Sequence, residues 1–341
     1  MHRREFIGGL MLAIRKDRID VADQLIRAAI ARDVESVAVY VKQGGEVISR
    51  GYGKAKPDSV FLLASITKPM TATAVMILRD RGKLSLADPV RKHIPEFHGG
   101  DRDAVEIRHL LSHTSGLPDM LPENEALRKR HAPLSEFVAA TSTTPLLFKP
   151  GTRMQYQSMG TLLAAEVVQR ITARPIRDFL KEELFSKLGM ASTSLGLGGR
   201  RIGDLVRSQV PEVTDWDWNS PYWRDLGAPW GGAHSNAADV ARLLEFFLHP
   251  RDSFIKASTA RQMVANQNEG LKGGWGIGWM VKKGSFGKHC SARTFGHSGS
   301  TGTIGWADLE KDLICVVLTS KPMSDSKATL VMPVCDVISE A

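Results

Sequence analysis

Cysteine is scarce in this chain of 341 residues. Cys290, Cys315 and Cys335 are far apart and odd in number, and no Cys-x-x-Cys pair occurs. Neither a disulfide framework nor a structural zinc site is therefore indicated. The ten histidines are dispersed, with no His-Glu-x-x-His. A metal enzyme is not expected on this pattern, and no cofactor is called for. Long apolar runs are missing as well: none approaches the ~18 residues of a membrane span. Charge of one sign is not concentrated. Lys and Arg exceed Asp and Glu by 8, with only short clusters such as Arg128-Lys129-Arg130 and Lys282-Lys283. Without a basic stripe interleaved with aromatics, nucleic acid is not an expected partner, and a mild bias towards anionic partners remains. The chain has neither internal repeats nor low-complexity linkers. What is left is the composition of a globular protein, long enough for one large domain or two of ordinary size.

The first residues carry two readings. Arg3-Arg4-Glu5-Phe6 followed by Ile7 to Ile14 resembles a short twin-arginine export signal. The apolar part is short and Arg15-Lys16-Asp17-Arg18 follows at once, as in an ordinary N-terminal helix or tail. Residues 1–18 are set apart on this ground. Export would place the protein in the bacterial periplasm; otherwise it is cytoplasmic.

Beyond residue 18, Asp20 to Arg32 has helical spacing, with Val21, Leu25, Ile26, Ala29 and Ile30 on one side. Ser36 to Val41 is short and β-branched, and Val47 to Gly53 pairs back across a Gly44-Gly45 turn. A long apolar helix follows, from Ser65 to near Gly82. The middle of the chain is helix-rich: Glu123 to Arg130, Leu134 to Thr141, Thr161 to Thr172, Ile176 to Leu188 and Asn236 to Leu248. Strand patterns return in Trp275 to Val281, Thr294 to His297, Thr303 to Trp306 and Leu313 to Thr319, before a closing helix from Asp325 to Ile338. Hairpins at both ends argue for an antiparallel sheet covered by helices, an α+β sandwich. Residues 19–83 and 236–341 are expected to build the sheet domain and residues 84–235 an inserted all-helical domain, with a cleft between them.

The stretch that organises these parts is Ser65-Ile66-Thr67-Lys68. Read as a helix N-cap, Ser65 would lie one turn from Lys68, on the same face and beside the positive end of the helix dipole. A serine hydroxyl is a poor nucleophile until a base takes its proton, and an amine becomes that base when burial depresses its pKa. Three other Ser-x-x-Lys pairs, Ser253–Lys256, Ser285–Lys288 and Ser324–Lys327, lie in polar or glycine-containing stretches where both side chains are expected in solvent. Only Ser65–Lys68 opens an apolar helix, where burying an ammonium would be costly.

Two further stretches suit acyl transfer. Tyr156-Gln157-Ser158 follows the Pro150-Gly151 turn, and a phenol beside an ammonium favours its phenolate form and relays protons. Taken alone, Tyr156 reads equally as a half-buried tyrosine at a helix entry. Gly296-His297-Ser298-Gly299-Ser300-Thr301-Gly302 is small and glycine-rich beside a strand, so a substrate can approach its edge. The Ser300 N–H would then join that of Ser65 as an oxyanion donor. A plain hairpin is the other reading, and His98-Gly99-Gly100 shows that His-x-Gly recurs by chance. Trp216 and Trp218 either line the cleft or pack under a long loop.

The order Ser65-x-x-Lys68, Tyr156-x-Ser158, His297-x-Gly299 resembles the serine β-lactamase and penicillin-binding-protein superfamily. It is most similar to the class C β-lactamase branch, with its esterases and D-aminopeptidases. Supporting phrases run in the family's order: Leu84 to Val90, Leu110 to Leu117, Lys187 to Met190, Gly231 to Asp239, Trp275 to Trp279 and Phe295 to Thr303. The resemblance implies a β-lactamase/transpeptidase-like fold. It implies acylation of Ser65, with Lys68 as base or proton carrier, Tyr156 completing the relay, and water releasing the acyl group. Which of Lys68 and Tyr156 is the base stays open at this point. Ser300, Ser158, His297, Ser298 and Gly299 would bind substrate around the oxyanion site.

Three positions depart from the lactamases: Ser158 replaces an Asn, His297 a Lys, and Met120 stands where a glutamine is usual. A hydroxyl reaches less far than an amide, and histidine is mostly neutral at pH 7. An esterase, or a peptidase of other specificity, is favoured over an efficient β-lactamase. The alternative is a non-catalytic sensor or scaffold of the same fold. The expected partner is a small ester, amide or peptide, and no assembly state is implied.

Overall fold

The computed structural model describes residues 13–340. Arg3 and Arg4, and with them the export-signal reading, lie outside the described residues. Among the described residues, no helix is long and apolar enough to cross a membrane.

Strands β1 (Ser36–Gln43) and β2 (Glu46–Gly53) close a hairpin over Gly44, which takes the left-handed backbone that the turn requires. Three short strands, β3 (Phe61–Leu62), β4 (Ser194–Leu195) and β5 (Ala233–Ser235), form a small second sheet in the order β3-β5-β4. The chain returns as β6 (Thr294–Gly299), β7 (Thr303–Asp308) and β8 (Leu313–Thr319). The main sheet runs β2-β1-β8-β7-β6, antiparallel throughout, so the first and last strands lie side by side with Val41 opposite Cys315.

The period of two along these strands feeds two cores. Val37, Val39, Val41, Cys315 and Val317 join one core with residues of helices α1 (Lys16–Arg32) and, at the C-terminus, Met332–Ile338. Ala38, Ile314, Val316 and Leu318 face the other, together with the helix Ala237–Leu248. A sheet buried on both faces explains why β8 reads as an unbroken apolar run. The three cysteines are buried and unpaired.

Helix α2 (Thr67–Asp80) sits inside the larger core, buried at every position from Thr67 to Leu78, and packs against α3 (Met159–Thr172). A helix surrounded on all sides needs no polar face, and its first turn carries Lys68 into the interior.

Three expected elements differ. Ser65 is not an N-cap: it lies inside a 3₁₀ turn, Ala64–Ile66, with α2 starting after it. Ala64, just before it, holds a positive φ of 48°, a strained backbone for alanine. Trp275 to Val281 makes only isolated bridges, because Gly276 and Gly278 fold it down against its neighbours: a Cβ on Gly278 would lie 2.5 Å from Ala72 of α2. The closing helix is broken into Met323–Ser326, a π turn at Lys327–Val331 and Met332–Ile338, where Pro333 removes a backbone donor.

The end of β6 is pressed onto the Ser65 segment. Thr301 and Thr303 each donate a 2.7 Å hydrogen bond, to the carbonyls of Leu62 and Leu63. Between them and the turn there is no room for a side chain at Gly299, where a Cβ would come within 2.1 Å of the Leu63 carbonyl. Gly299→Ala is expected to push β6 away from this segment and to cost about 1–3 kcal/mol, the range of overpacking. A chemical-denaturation midpoint equal to the parent's would contradict this.

Candidate active site

Lys68 points back along the first turn of α2, so its Nζ donates to Ser65 Oγ at 2.9 Å and to the Trp230 carbonyl at 3.0 Å. The Trp230 segment is held there by its own bonds to the helix: Thr71 Oγ1 donates to the Pro229 carbonyl and Ala233 N–H donates to Thr67 Oγ1. Both acceptors of the amine are neutral. Burial therefore pulls the Lys68 pKa from 10.5 to about 7, opposed by the Asp119 carboxylate. Near neutral pH the amine is about half unprotonated, within hydrogen-bond reach of a serine hydroxyl that is itself part-exposed.

Tyr156 comes from a loop tied down on both sides. Gln157 is buried; its N–H donates to His113 Nδ1 at 3.2 Å, and its side chain bonds Ser115 Oγ and the His109 carbonyl. Ser158 Oγ donates to Asp119 at 2.6 Å. Between these anchors the Tyr156 ring packs 4.7 Å from that of His113 and 5.6 Å from that of Trp275, and Lys68 Nζ lies 4.7 Å from its centre. The expected phenolate is reversed. Burial raises the Tyr156 hydroxyl above its ordinary value, a hydrogen bond with Ser65 opposes this, and the Asp119 charge adds to it. The phenol stays protonated, and the group titrating near neutrality is the amine.

The β6 residues divide by the alternation of the strand. His297 is turned inward and is 1% exposed; its Nδ1 donates to the Ser298 carbonyl at 2.7 Å. Burial, then the nearby Lys68 charge, lowers its pKa to about 3. It presents no cation to the cleft. Ser298 is half-buried, and Ser300 is exposed one residue past the last β6–β7 pair, Gly299 with Thr303, so its N–H lies outside the ladder.

Ser65, Tyr156, Ser158, His297, Ser298, Gly299 and Ser300 all border one cavity of about 620 Å³, with Lys68 behind Ser65. Trp218 and Met120 also line it, whereas Trp216 packs against Arg128. The sequence reading missed Asp119, which stands in the cavity wall, directs Ser158 and acts on Lys68. It follows Gly116-Leu117-Pro118, and that loop was the available signal. His113 and Gln157, which hold Tyr156, were missed too. They carry no signal without the contacts.

The Beta-lactamase family model matches residues 22–330. Protein flp of Staphylococcus aureus (strain N315) is 25% identical over 264 residues, covering 71% of this chain and 51% of that protein. The chain thus spans about half the length of such curated relatives. A Putative D-alanyl-D-alanine carboxypeptidase of Escherichia coli (strain K12) is 26% identical over 353 residues, covering 90% of this chain and 80% of that one. The solved structure of EstCE1, described as a hydrolase with promiscuous acyltransferase activity, matches with a TM-score of 0.80 at 20% identity, covering 95% of this chain and 99% of that one. That likeness shows the fold, which is β-lactamase/transpeptidase-like as expected.

Two outcomes follow for a site that works by acyl transfer. Because a base must be unprotonated, kcat/KM should rise with pH through about 7, the Lys68 value. Asp119→Asn removes the charge that favours protonated Lys68, so this limb should move to lower pH; an unmoved limb would dissociate it from Lys68. For stability the sign is also set. The folded state disfavours protonation, so stability is lost as pH falls from 10.5 towards 7. A displacement of that size costs on the order of 5 kcal/mol at neutral pH. Lys68→Met should therefore lower kcat/KM by about 10²- to 10⁴-fold while raising the denaturation midpoint. A lowered midpoint would count against a destabilising buried amine.

Proposed function

Because the chain belongs to the Beta-lactamase family, we propose that it is a serine hydrolase that cleaves small ester or amide bonds through an acyl-Ser65 intermediate. One observation carries the reading. The Ser65 hydroxyl opens onto a cavity of about 620 Å³ and is hydrogen-bonded at 2.9 Å to an amine whose pKa burial has brought to about 7.

In this reading the unprotonated Lys68 takes the Ser65 proton as Oγ attacks the substrate carbonyl. The Ser65 and Ser300 N–H groups receive the oxyanion as the tetrahedral adduct forms. When the adduct collapses, the bond to the leaving alkoxide or amine breaks. The proton passes from the Lys68 ammonium through the Tyr156 hydroxyl to that leaving group, leaving Lys68 neutral again. Water then attacks the acyl-serine, with its proton taken by the same amine, and the carboxylic acid departs as Ser65 is restored. Tyr156 acts as a neutral relay, consistent with its raised pKa.

Esters are favoured over β-lactams. His297 is uncharged where the lactamases hold a lysine, and the Ser158 hydroxyl is committed to Asp119, so neither is poised for a penicillin's carboxylate and amide. The relatives span such chemistry, from a putative carboxypeptidase to a hydrolase with acyltransferase activity. A non-catalytic sensor would have no use for a destabilising amine beside Ser65.

Intact-mass analysis after rapid mixing with p-nitrophenyl acetate should show one added acetyl group, absent in Ser65→Ala. The variant's ester turnover should fall by roughly 10⁴-fold or more. Nitrocefin should turn over more slowly than the ester. Parent-like ester turnover in Ser65→Ala would rule out the acyl-Ser65 route.

A further inference from the structure

The cavity in front of Ser65 does not end at β6. Met280, Ser298 and Met323 line it and also line a second cavity of about 350 Å³, so the two share a wall. The second cavity, an annex to the first, carries Lys282, Lys283 and Lys327. All three are exposed, none forms an ion pair among the described residues, and no described carboxylate lines the annex.

Three exposed lysines lining one concavity add their positive charge there, and a concave wall focuses the field. Some lysines of this surface meet carboxylates, as Lys92 meets Asp88 and Lys288 meets Asp336. In the annex the complementary charge is missing from the protein itself. The main cavity has no cation of its own to offer at the neighbouring strand position, since His297, which borders it, is buried and neutral. Ser298 alternates with it and stands in the shared wall, where its hydroxyl can donate towards either side.

From this arrangement, and resting on the hydrolase reading above, we propose that the annex is an anion subsite. It binds a carboxylate carried by the substrate away from the scissile bond, so that the preferred substrates are acidic esters or amides. The methionines Met280 and Met323 form an adaptable apolar floor for the chain joining carboxylate to reacting carbonyl. The acidic group is held by charge at the annex while the carbonyl sits against Ser65.

Two ester pairs test this, each with and without the extra charge. The first varies the acyl group, p-nitrophenyl butyrate against p-nitrophenyl hydrogen succinate. The second varies the leaving group, phenyl acetate against 4-acetoxybenzoate. The reading is the anionic-to-neutral ratio of kcat/KM, compared between the parent and the triple variants Lys282→Gln/Lys283→Gln/Lys327→Gln and Lys282→Glu/Lys283→Glu/Lys327→Glu. Intrinsic reactivity cancels in that comparison. For at least one pair the ratio should fall roughly tenfold in the Gln variant, the scale of a few exposed charge pairs, and further in the Glu variant. High sodium chloride should lower the parent's ratio in the same direction. Equal ratios in all three proteins overturn the proposal and leave the hydrolase reading untouched. If the parent turns over no ester, the esterase part of the hydrolase reading fails, and calorimetric titration of glutarate into Ser65→Ala decides the annex. Saturable binding lost in the triple Gln background supports it, and no binding overturns it.

Discussion

A primary amine held out of water beside a hydroxyl is the constraint on which the rest of this molecule depends. Lys68 is buried because it lies on the first turn of a helix enclosed on every side. Moving a cation into such a place is unfavourable, and the group responds by giving up its proton near neutrality. The surroundings set how far this goes. Two neutral oxygens accept from the amine, and one carboxylate, Asp119, opposes the desolvation. A closer carboxylate would restore the ammonium; none at all would drive the pKa lower still. The strain at Ala64 and the displaced start of α2 belong to the same arrangement, since they set the Ser65 hydroxyl where the amine reaches it.

Such a site needs a stiff frame, because hydrogen-bond lengths near 3 Å must be kept by elements far apart in sequence. The frame is built by locking neighbours rather than the reacting groups. Gln157 and Ser158 are each tied to the loop of residues 109–119, and Tyr156 is positioned by what is done to them. Two threonines hold the carbonyls of Leu62 and Leu63, and Gly299 lets β6 close onto the same segment. The two apolar cores on either side of the main sheet hold these parts together.

Charge is arranged with the same economy. The interior of the cleft is nearly without permanent cations: Lys68 is half-neutral at pH 7, and His297 has been stripped of its charge by burial. Positive charge stands instead at the lysine-lined annex beyond Ser298. A base near neutrality tolerates no strong cation at its side, because like charge lowers its pKa further. Keeping the annex lysines exposed and separate leaves the Lys68 amine to be set by burial and Asp119 alone.

Much of this was legible in the residues. Alternating β-branched strands at both ends, helical spacing between them and three short motifs in a familiar order were enough for the fold and for Ser65, Lys68 and Tyr156 as a group. Periodicity and order are local properties, and local chemistry writes them directly into the chain. What the tertiary structure alone decided is electrostatic and long-range. It set the phenol of Tyr156 above its ordinary value and the amine of Lys68 at about 7, a choice between the two groups that the residues had left open. It turned Ser158 to Asp119 and His297 into the wall, and brought three lysines from residues 282, 283 and 327 to one concavity. A protonation state depends on burial and on every charge nearby, and those are set by segments that meet only after folding.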